Sequence, residues 1–506
     1  MIERVDDAGI ADAGTLLRRA ADLHPDREAF IEAEVRLTFA AWDRAADAVA
    51  AQFASHGVGH GDVVALVMGS SADFAVCYQA AMRLGAITSA LNPRLGSREV
   101  ASIFERTRPR VTVLDPGVAS LPPGLPTGTV IDRDDVRRAV EAGGRPVTFP
   151  TVAADDVVAI VWTSGTTGAP KGAVFDHACL RDMARGAGVL SVPGDRRLSP
   201  IPFAHVGYMT RPWDEIVNVI TTVIAPSPWH AADHLRLIAE ESITVGQGVP
   251  TQWQLVLQHP DLTSTDTSSL RITSTGSSRV PAELVRAMRK AFGVPVVVRY
   301  TSTEASVSTG TQIDDDDEVI ANTVGRPAPN VELRVAVDGR DAGVEEVGAV
   351  LLRSRAQMRG YWKDPDMTAA VIGPDGWLDT GDLGWLDGAG NLSIVGRRVE
   401  MYIRGGYNVY PAEVEEVLGE HPAVARAAVV GIPDPVMGQI GAAAVIPSDP
   451  ERPPTLDELR AWCRDRLASY KAPDRLRVVA ELPTNAMTKV VKAGVAALFE
   501  PEVADG

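Results

Sequence analysis

The sequence predicts an α/β protein: a large N-terminal domain of α/β subdomains plus a β-rich subdomain, followed by a small α+β C-terminal domain. Three observations predict it. Apolar runs of strand length alternate with helically spaced apolar positions over the first 300 residues, the pattern of βα layers around a largely parallel sheet. The run Val157-Val158-Ala159-Ile160-Val161-Trp162 is uninterrupted, which suits a strand covered on both faces. From about residue 324 the pattern shortens to alternating strand-like segments, the mark of a β-rich subdomain.

In chain order, Leu16, Leu17, Ala20 and Ala21 fall at helical spacing, and residues 39–53 read as an amphipathic helix. A strand over residues 63–68 follows the turn glycines Gly57, Gly59 and Gly61; a helix over 72–84 and a strand over 111–114 come next. Residues 115–155, rich in Pro, Gly and Asp, read as a surface connection. Further strands are expected at 219–224, 294–298, 331–337 and 347–352. The acidic run Asp314 to Glu318 reads as a solvated loop. Gly396-Arg397-Arg398 reads as a linker, dividing the chain into domains 1–395 and 396–506; the second carries helices at 411–418 and 455–467 and a strand at 427–431. No internal repeat is evident.

Composition narrows the function. The chain has 506 residues, enough for about three domains and a sizeable core. With 49 basic and 66 acidic residues the net charge is −17, which argues against nucleic acid and anionic membranes as partners. A polyanionic ligand would have to be held locally, by amides, a metal and a few placed cations. The cysteines Cys77, Cys179 and Cys463 show no zinc or disulfide spacing and read as buried small hydrophobes. No signal-peptide pattern or membrane-spanning stretch is present, so a soluble, cytoplasmic protein is expected.

The strongest local signal follows the 157–162 run: Thr163-Ser164-Gly165-Thr166-Thr167-Gly168-Ala169-Pro170-Lys171-Gly172. Glycines permit close backbone approach, and hydroxyls and turn amides can donate to phosphate oxygens, so this is a candidate phosphate-cradling loop. Its spacing is not that of Walker A. The whole string resembles the signature loop of the adenylate-forming superfamily, which includes acyl-CoA synthetases, peptide-synthetase adenylation domains and firefly-type luciferases. Other segments resemble that family's motifs in the same order, from about residue 14 to 498: Pro202-Phe203-Ala204-His205-Val206-Gly207, Gly248-Val249-Pro250-Thr251, Tyr300-Thr301-Ser302-Thr303-Glu304, Gly376-Trp377-Leu378-Asp379-Thr380-Gly381-Asp382, Gly405-Gly406-Tyr407-Asn408-Val409-Tyr410-Pro411, and Leu482-Pro483 through Lys489.

The resemblance implies attack of a carboxylate on the α-phosphate of ATP, with charge neutralisation and positioning as the main catalytic devices. Thr163 to Lys171 would hold the β- and γ-phosphates, Thr303 would bond the α-phosphate, and Glu304 would ligate Mg²⁺. Asp382 would accept from the ribose hydroxyls and Arg397 would donate nearby. Tyr300 would lie beside adenine. Lys489, with Lys492 as a nearby competitor, would bridge the acyl carboxylate and the ribose-phosphate edge. His205 is read as an acyl-pocket gate, against the alternative of a packed core histidine.

By position, Trp213, Trp253, Ser274, Gly276, Arg299, Thr301 and Val307 are candidates for the acyl pocket. Arg299 would favour a polar or anionic acyl group if it points inward; outward it is an ordinary exposed cation. Three positions depart from the family pattern. Thr301 stands where Gly is usual after the motif tyrosine, Thr488 where Gly precedes the catalytic lysine, and Val399 where the hinge usually has Asp or Lys. Relatives rotate the C-terminal domain between half-reactions, so an altered or slow second step is expected. CoA is the acceptor the architecture favours. An amine taken up without CoA, a carrier protein, luciferase-like oxidation and a catalytically silent nucleotide-binding protein are the alternatives. A second copy of the chain is a further candidate partner.

Overall fold

The computed structural model describes residues 2–143, 148–163, 170–276, 280–404, 407–485 and 489–500, without the side chain of Val307. The chain folds into two compact units, Met1–Leu333 with Leu352–Thr380, and Arg334–Leu351 with Gly381–Gly506. The boundary expected at residue 395 falls inside the second of these.

The first unit is built on two sheets. A seven-stranded sheet runs in the order Gly360–Tyr361, Lys171–Asp176, Val157–Thr163, Ile87–Leu91, Val63–Val67, Val111–Leu114, Thr129–Asp132. Its pairings are parallel from Val157–Thr163 outward to Thr129–Asp132, and antiparallel on the other side of Val157–Thr163. All five residues of Val63–Val67 and of Ile87–Leu91 are buried, as strands covered on both faces require. A nine-stranded sheet places Ile272–Gly276 beside Val296–Ser302 in parallel and returns through Ser306–Gly310 antiparallel to it.

Local sequence explains the covering helices. Thr38 caps Phe39–Ser55 by accepting from the Ala41 amide, a contact of about 1 kcal/mol. That helix buries Phe39, Trp42, Val49 and Phe53 in one core with Leu16, Leu17, Ala20 and Ala21 of the helix Ala13–Leu23. The three cysteines are buried, and burial raises their thiols, Cys463 to about 11.

Three expectations need correction. Residues 115–155 are not merely a connection: they contain the strand Thr129–Asp132 and the helix Arg133–Glu141, capped reciprocally by Asp132 and Asp135. The acidic run does not stay a loop, because Asp316 accepts from the Val319 amide and starts the helix Asp317–Asn322, whose first-turn acids suit the positive end of the helix dipole. Gly396 and Arg397 are no linker; they belong to Leu392–Arg397, paired antiparallel with Leu378–Leu386.

The β-rich segment forms a five-stranded sheet, ordered Arg340–Asp341, Val331–Val337, Gly348–Ser354, Leu378–Leu386, Leu392–Arg397. The C-terminal part has its own sheet around the long hairpin Val424–Asp434 and Gly438–Pro447, covered by the helices Pro411–Gly419 and Leu456–Arg464 over a separate core. Among the described residues, no helix is long and apolar enough to cross a membrane.

Candidate active site

In the first unit, Thr163 ends the buried strand Val157–Thr163 and pairs with Lys171, which begins the next strand. Ser164, Gly165, Thr166, Thr167 and Gly168 lie between them, outside the described residues. The two ends of the candidate phosphate loop are therefore fixed side by side. Lys171 Nζ sits 5.5 Å from the centre of the Tyr361 ring. The Tyr361 hydroxyl in turn donates to Glu304 Oε1 at 2.9 Å, and the Met358 amide donates to the Glu304 carbonyl at 2.8 Å. One buried ring thus joins the lysine of the loop to the carboxylate expected to meet a cation. Tyr361 was not among the sequence candidates; its partner is 57 residues away, so no local pattern reveals it.

Glu304 and Thr303 are half-buried in the turn after Val296–Ser302, with Tyr300 packed against the main core from within that strand. Among the described residues no group of three or more His, Cys, Asp or Glu is placed to hold a metal by protein ligands alone. A single half-buried carboxylate with one oxygen engaged by Tyr361 fits a hard cation whose other ligands are phosphate oxygens and water.

The same strand leads into a cavity of about 80 Å³. Its walls include His205, Arg211, Ser274, Gly276, Arg299 and Thr301. His205 caps the helix Val206–Met209, its Nδ1 accepting from the Gly207 amide at 3.1 Å, so a neutral ring carries its proton on Nε2. His205 is thus a wall residue of the cavity. Trp213 and Trp253 do not line it: both are fully buried, with indole N–H groups donating to Asp7 Oδ2 at 2.9 Å and to the Ser274 carbonyl at 3.1 Å. Val307 contributes no described side chain. Arg299, left open between inward and outward by sequence, is 8% exposed and points inward. Arg211 was missed, because Thr-Arg-Pro resembles any helix start until the fold closes around it.

In the second unit, Asp382 and Arg397 stand opposite each other on paired strands, Arg397 Nε lying 2.7 Å from Asp382 Oδ1. The carboxylate is buried while the guanidinium is half exposed, so a buried acceptor is held in place by a cation that still reaches solvent. Lys489 is exposed, its backbone tied to Asn485 by the Lys489 amide to Asn485 Oδ1 at 3.0 Å and the Asn485 amide to the Lys489 carbonyl at 2.8 Å. Thr488, Gly405 and Gly406 are outside the described residues. Lys492 pairs with Glu415 and donates to the Val429 carbonyl at 2.9 Å. Its ammonium is committed to holding the helix Lys492–Ala497 on the sheet.

The model of the AMP-binding enzyme family matches residues 17–362, and that of the AMP-binding enzyme C-terminal domain matches residues 413–489. A 3-[(3aS,4S,7aS)-7a-methyl-1,5-dioxo-octahydro-1H-inden-4-yl]propanoyl:CoA ligase from Rhodococcus jostii is 34% identical over 511 residues, covering 94% of this chain and 96% of its own. Among solved structures, the o-succinylbenzoate CoA synthetase of Bacillus subtilis in complex with its acyl-adenylate intermediate superposes with a TM-score of 0.86 at 28% identity, covering 96% of this chain and 98% of its own. The amide bond synthetase McbA of Marinactinospora thermotolerans gives 0.85 at 27% identity, covering 97% and 100%. Matched along both of its parts, the chain belongs to the family of AMP-binding, adenylate-forming enzymes.

Proposed function

We propose that the protein is an AMP-forming acid–thiol ligase that converts a carboxylic acid to its acyl-CoA in two half-reactions. In the first, a carboxylate oxygen of the acid attacks the α-phosphorus of ATP and pyrophosphate leaves. In the second, the CoA sulfur attacks the acyl carbonyl, its proton passing to solvent, and AMP leaves. The observation that carries this reading is the single strand Val296–Ser302: Thr301 lines the acid cavity, while Glu304, three residues on, meets the Tyr361 ring that also faces Lys171. This proximity supports acid and triphosphate sites a few residues apart, an arrangement that converts a meeting of two anions into a local event.

Within this reading, Thr163 and Lys171 anchor the phosphate loop, whose Ser164 to Gly168 supply hydroxyls and amides to the β- and γ-phosphates. Thr303 donates to the α-phosphate, and Glu304 supplies the one protein carboxylate to Mg²⁺, which neutralises phosphate charge when bound. Tyr300 lies along adenine, His205 gates the cavity, and Asp382, oriented by Arg397, accepts from the ribose hydroxyls. Lys489 supplies the cation for the first half-reaction. Residues 1–395 carry the acid cavity and most of the ATP contacts, and residues 396–506 add Arg397 and the catalytic lysine. CoA as acceptor is supported by the named activity of the relative from Rhodococcus; a slow second step is supported by Val399, which is 73% exposed where relatives carry a charged hinge residue.

Mass spectrometry of products from an acid panel with ATP, Mg²⁺, CoA and mixed amines tests the assignment. Acyl-CoA is expected, with AMP and pyrophosphate in equal amounts, and Val399→Asp is expected to accelerate single-turnover thioester formation. Amide formed without CoA would replace this reading with the amine-ligase one, and absence of any acid-dependent pyrophosphate would remove both.

A further inference from the structure

The wall of the acid cavity carries a charge that nothing in the described protein answers. Arg299 is more than nine-tenths buried, yet its Nε and Nη2 have no hydrogen-bond partner among the described residues. The side chain is held there by backbone. Arg299 stands directly opposite Gly310 on the neighbouring strand, where a Cβ would overlap Arg299 Nη1, and Gly188 lies on the Nη2 side, a Cβ there standing 3.8 Å away. At 8% exposure the side chain does not snorkel to solvent, the usual relief for a long cationic side chain.

The surrounding charges do not compensate it. Arg211 lies within reach of the like charges of Arg197 and Arg299 and of two carboxylates, Asp214 and Glu215. Asp214 is taken by Arg197, whose Nη2 lies 3.1 Å from its Oδ2, and by Ser191 and Asn218. Glu215 Oε1 accepts from Thr222 at 2.9 Å and lies 4.0 Å from Arg197 Nη1; burial pushes its carboxyl up. Among the described residues, neither carboxylate pairs with Arg299. Burial alone holds Arg299 down at about 10, with no acid opposing the effect. Thr275, another wall residue, also has a buried hydroxyl without a partner among the described residues. A buried charge in this state is expensive, and an alkyl chain laid against it would increase the cost.

We propose that the cavity selects a dicarboxylic acid, one carboxylate being adenylated and thioesterified while the other is held by Arg299, with Arg211 and Thr275 beside it. The proposal rests on the acid-ligase reading above and names its substrate class. The distal carboxylate keeps its charge and makes no covalent bond; it supplies the missing counter-ion through hydrogen bonds of the strong, charge-assisted kind. The product is a monothioester bearing an anionic tail.

Pyrophosphate release with wild type and Arg299→Met, over dicarboxylic acids from malonate to suberate and their monomethyl esters, tests this. For at least one chain length kcat/KM for the diacid is expected to exceed that for its half-ester about 100-fold, because the half-ester leaves the guanidinium unpaired. Arg299→Met is expected to collapse that ratio toward one, gaining on the half-ester, and Arg299→Lys to keep the preference. A purely structural arginine would lower both substrates alike, and that result, or half-esters preferred at every length, overturns the proposal. Calorimetric binding of the diacids without ATP separates the two levels of inference. Diacid binding that disappears in Arg299→Met, with no pyrophosphate from any acid, would sustain the site and remove the ligase reading; neither binding nor turnover would remove both.

Discussion

At the scale of the residue, Lys489 and Lys492 show what chemistry alone leaves open. Three residues apart near the C-terminus, both are lysines in one Thr-Lys-Val-Val-Lys run, and sequence offers either as the catalytic cation. The fold distinguishes them: Lys492 pairs with Glu415 and donates to the Val429 carbonyl, whereas Lys489 is exposed, its amide donating to Asn485 Oδ1. Lys489→Ala is expected to slow acyl-adenylate formation by about 10²- to 10³-fold, the usual cost of losing one preorganised donor, while still converting supplied acyl adenylate to thioester. Lys492→Ala should instead leave the half-buried Glu415 without its cation, lowering the melting temperature and sparing the adenylation rate. Rapid-quench pyrophosphate release and thermal melts read the two effects, and equal loss of both half-reactions in Lys489→Ala would count against its first-step role. The motif residues were legible because each follows a recognisable string. Tyr361 and Arg211 were not, since the Tyr361 hydroxyl meets Glu304 from another sheet and Arg211 shares a cavity wall with Arg299 only once the fold closes.

At the scale of the element, legibility followed burial. Strands buried on both faces, such as Val157–Thr163 and Val63–Val67, are runs of Val, Ile, Leu and Ala that composition cannot hide. The strand Thr129–Asp132 sits at a sheet edge, with two of its four residues exposed, and so carries little apolar signal among its neighbouring prolines and glycines. The helix Ala231–Glu240 conceals a different property. Its His234 is fully buried between Trp229 and Trp253, ring centres 5.8 and 5.2 Å away, and Trp229 Nε1 donates to its Nδ1 at 3.3 Å. Burial holds that ring neutral, its pKa lowered to about 3. Since the folded value lies below the unfolded value of about 6.5, the unfolded chain takes up the proton first as pH falls. The stability this group contributes is complete above about pH 7, and about 2 kcal/mol of it is lost by pH 5. Denaturant melts of wild type and His234→Phe between pH 7 and 5 are expected to show a shallower decline in the variant; parallel declines would mean that other groups dominate.

At the scale of the molecule, a chain of net charge −17 contains a cavity with two arginines, Arg211 and Arg299, in its wall. An acidic chain opposes unspecific phosphate binding, whereas a buried guanidinium favours a specific anion. These two layers act at different moments of binding. An incoming diacid or nucleotide first crosses a repulsive field that extends about 10 Å at 0.1 M ionic strength, and only then reaches a buried cation that salt screens far less. The encounter rate is therefore expected to climb as a salt of a bulky, weakly competing anion is added, the opposite of the fall seen when a basic protein captures a polyanion. Stopped-flow association of a fluorescent ATP analogue in potassium gluconate would show this sign, and a falling rate would mean that the approach is steered by a positive patch of its own. Ordinary chloride would blur the result, because a small anion can itself compete for the buried guanidinium of Arg299; the identity of the assay salt thus becomes a variable of substrate preference.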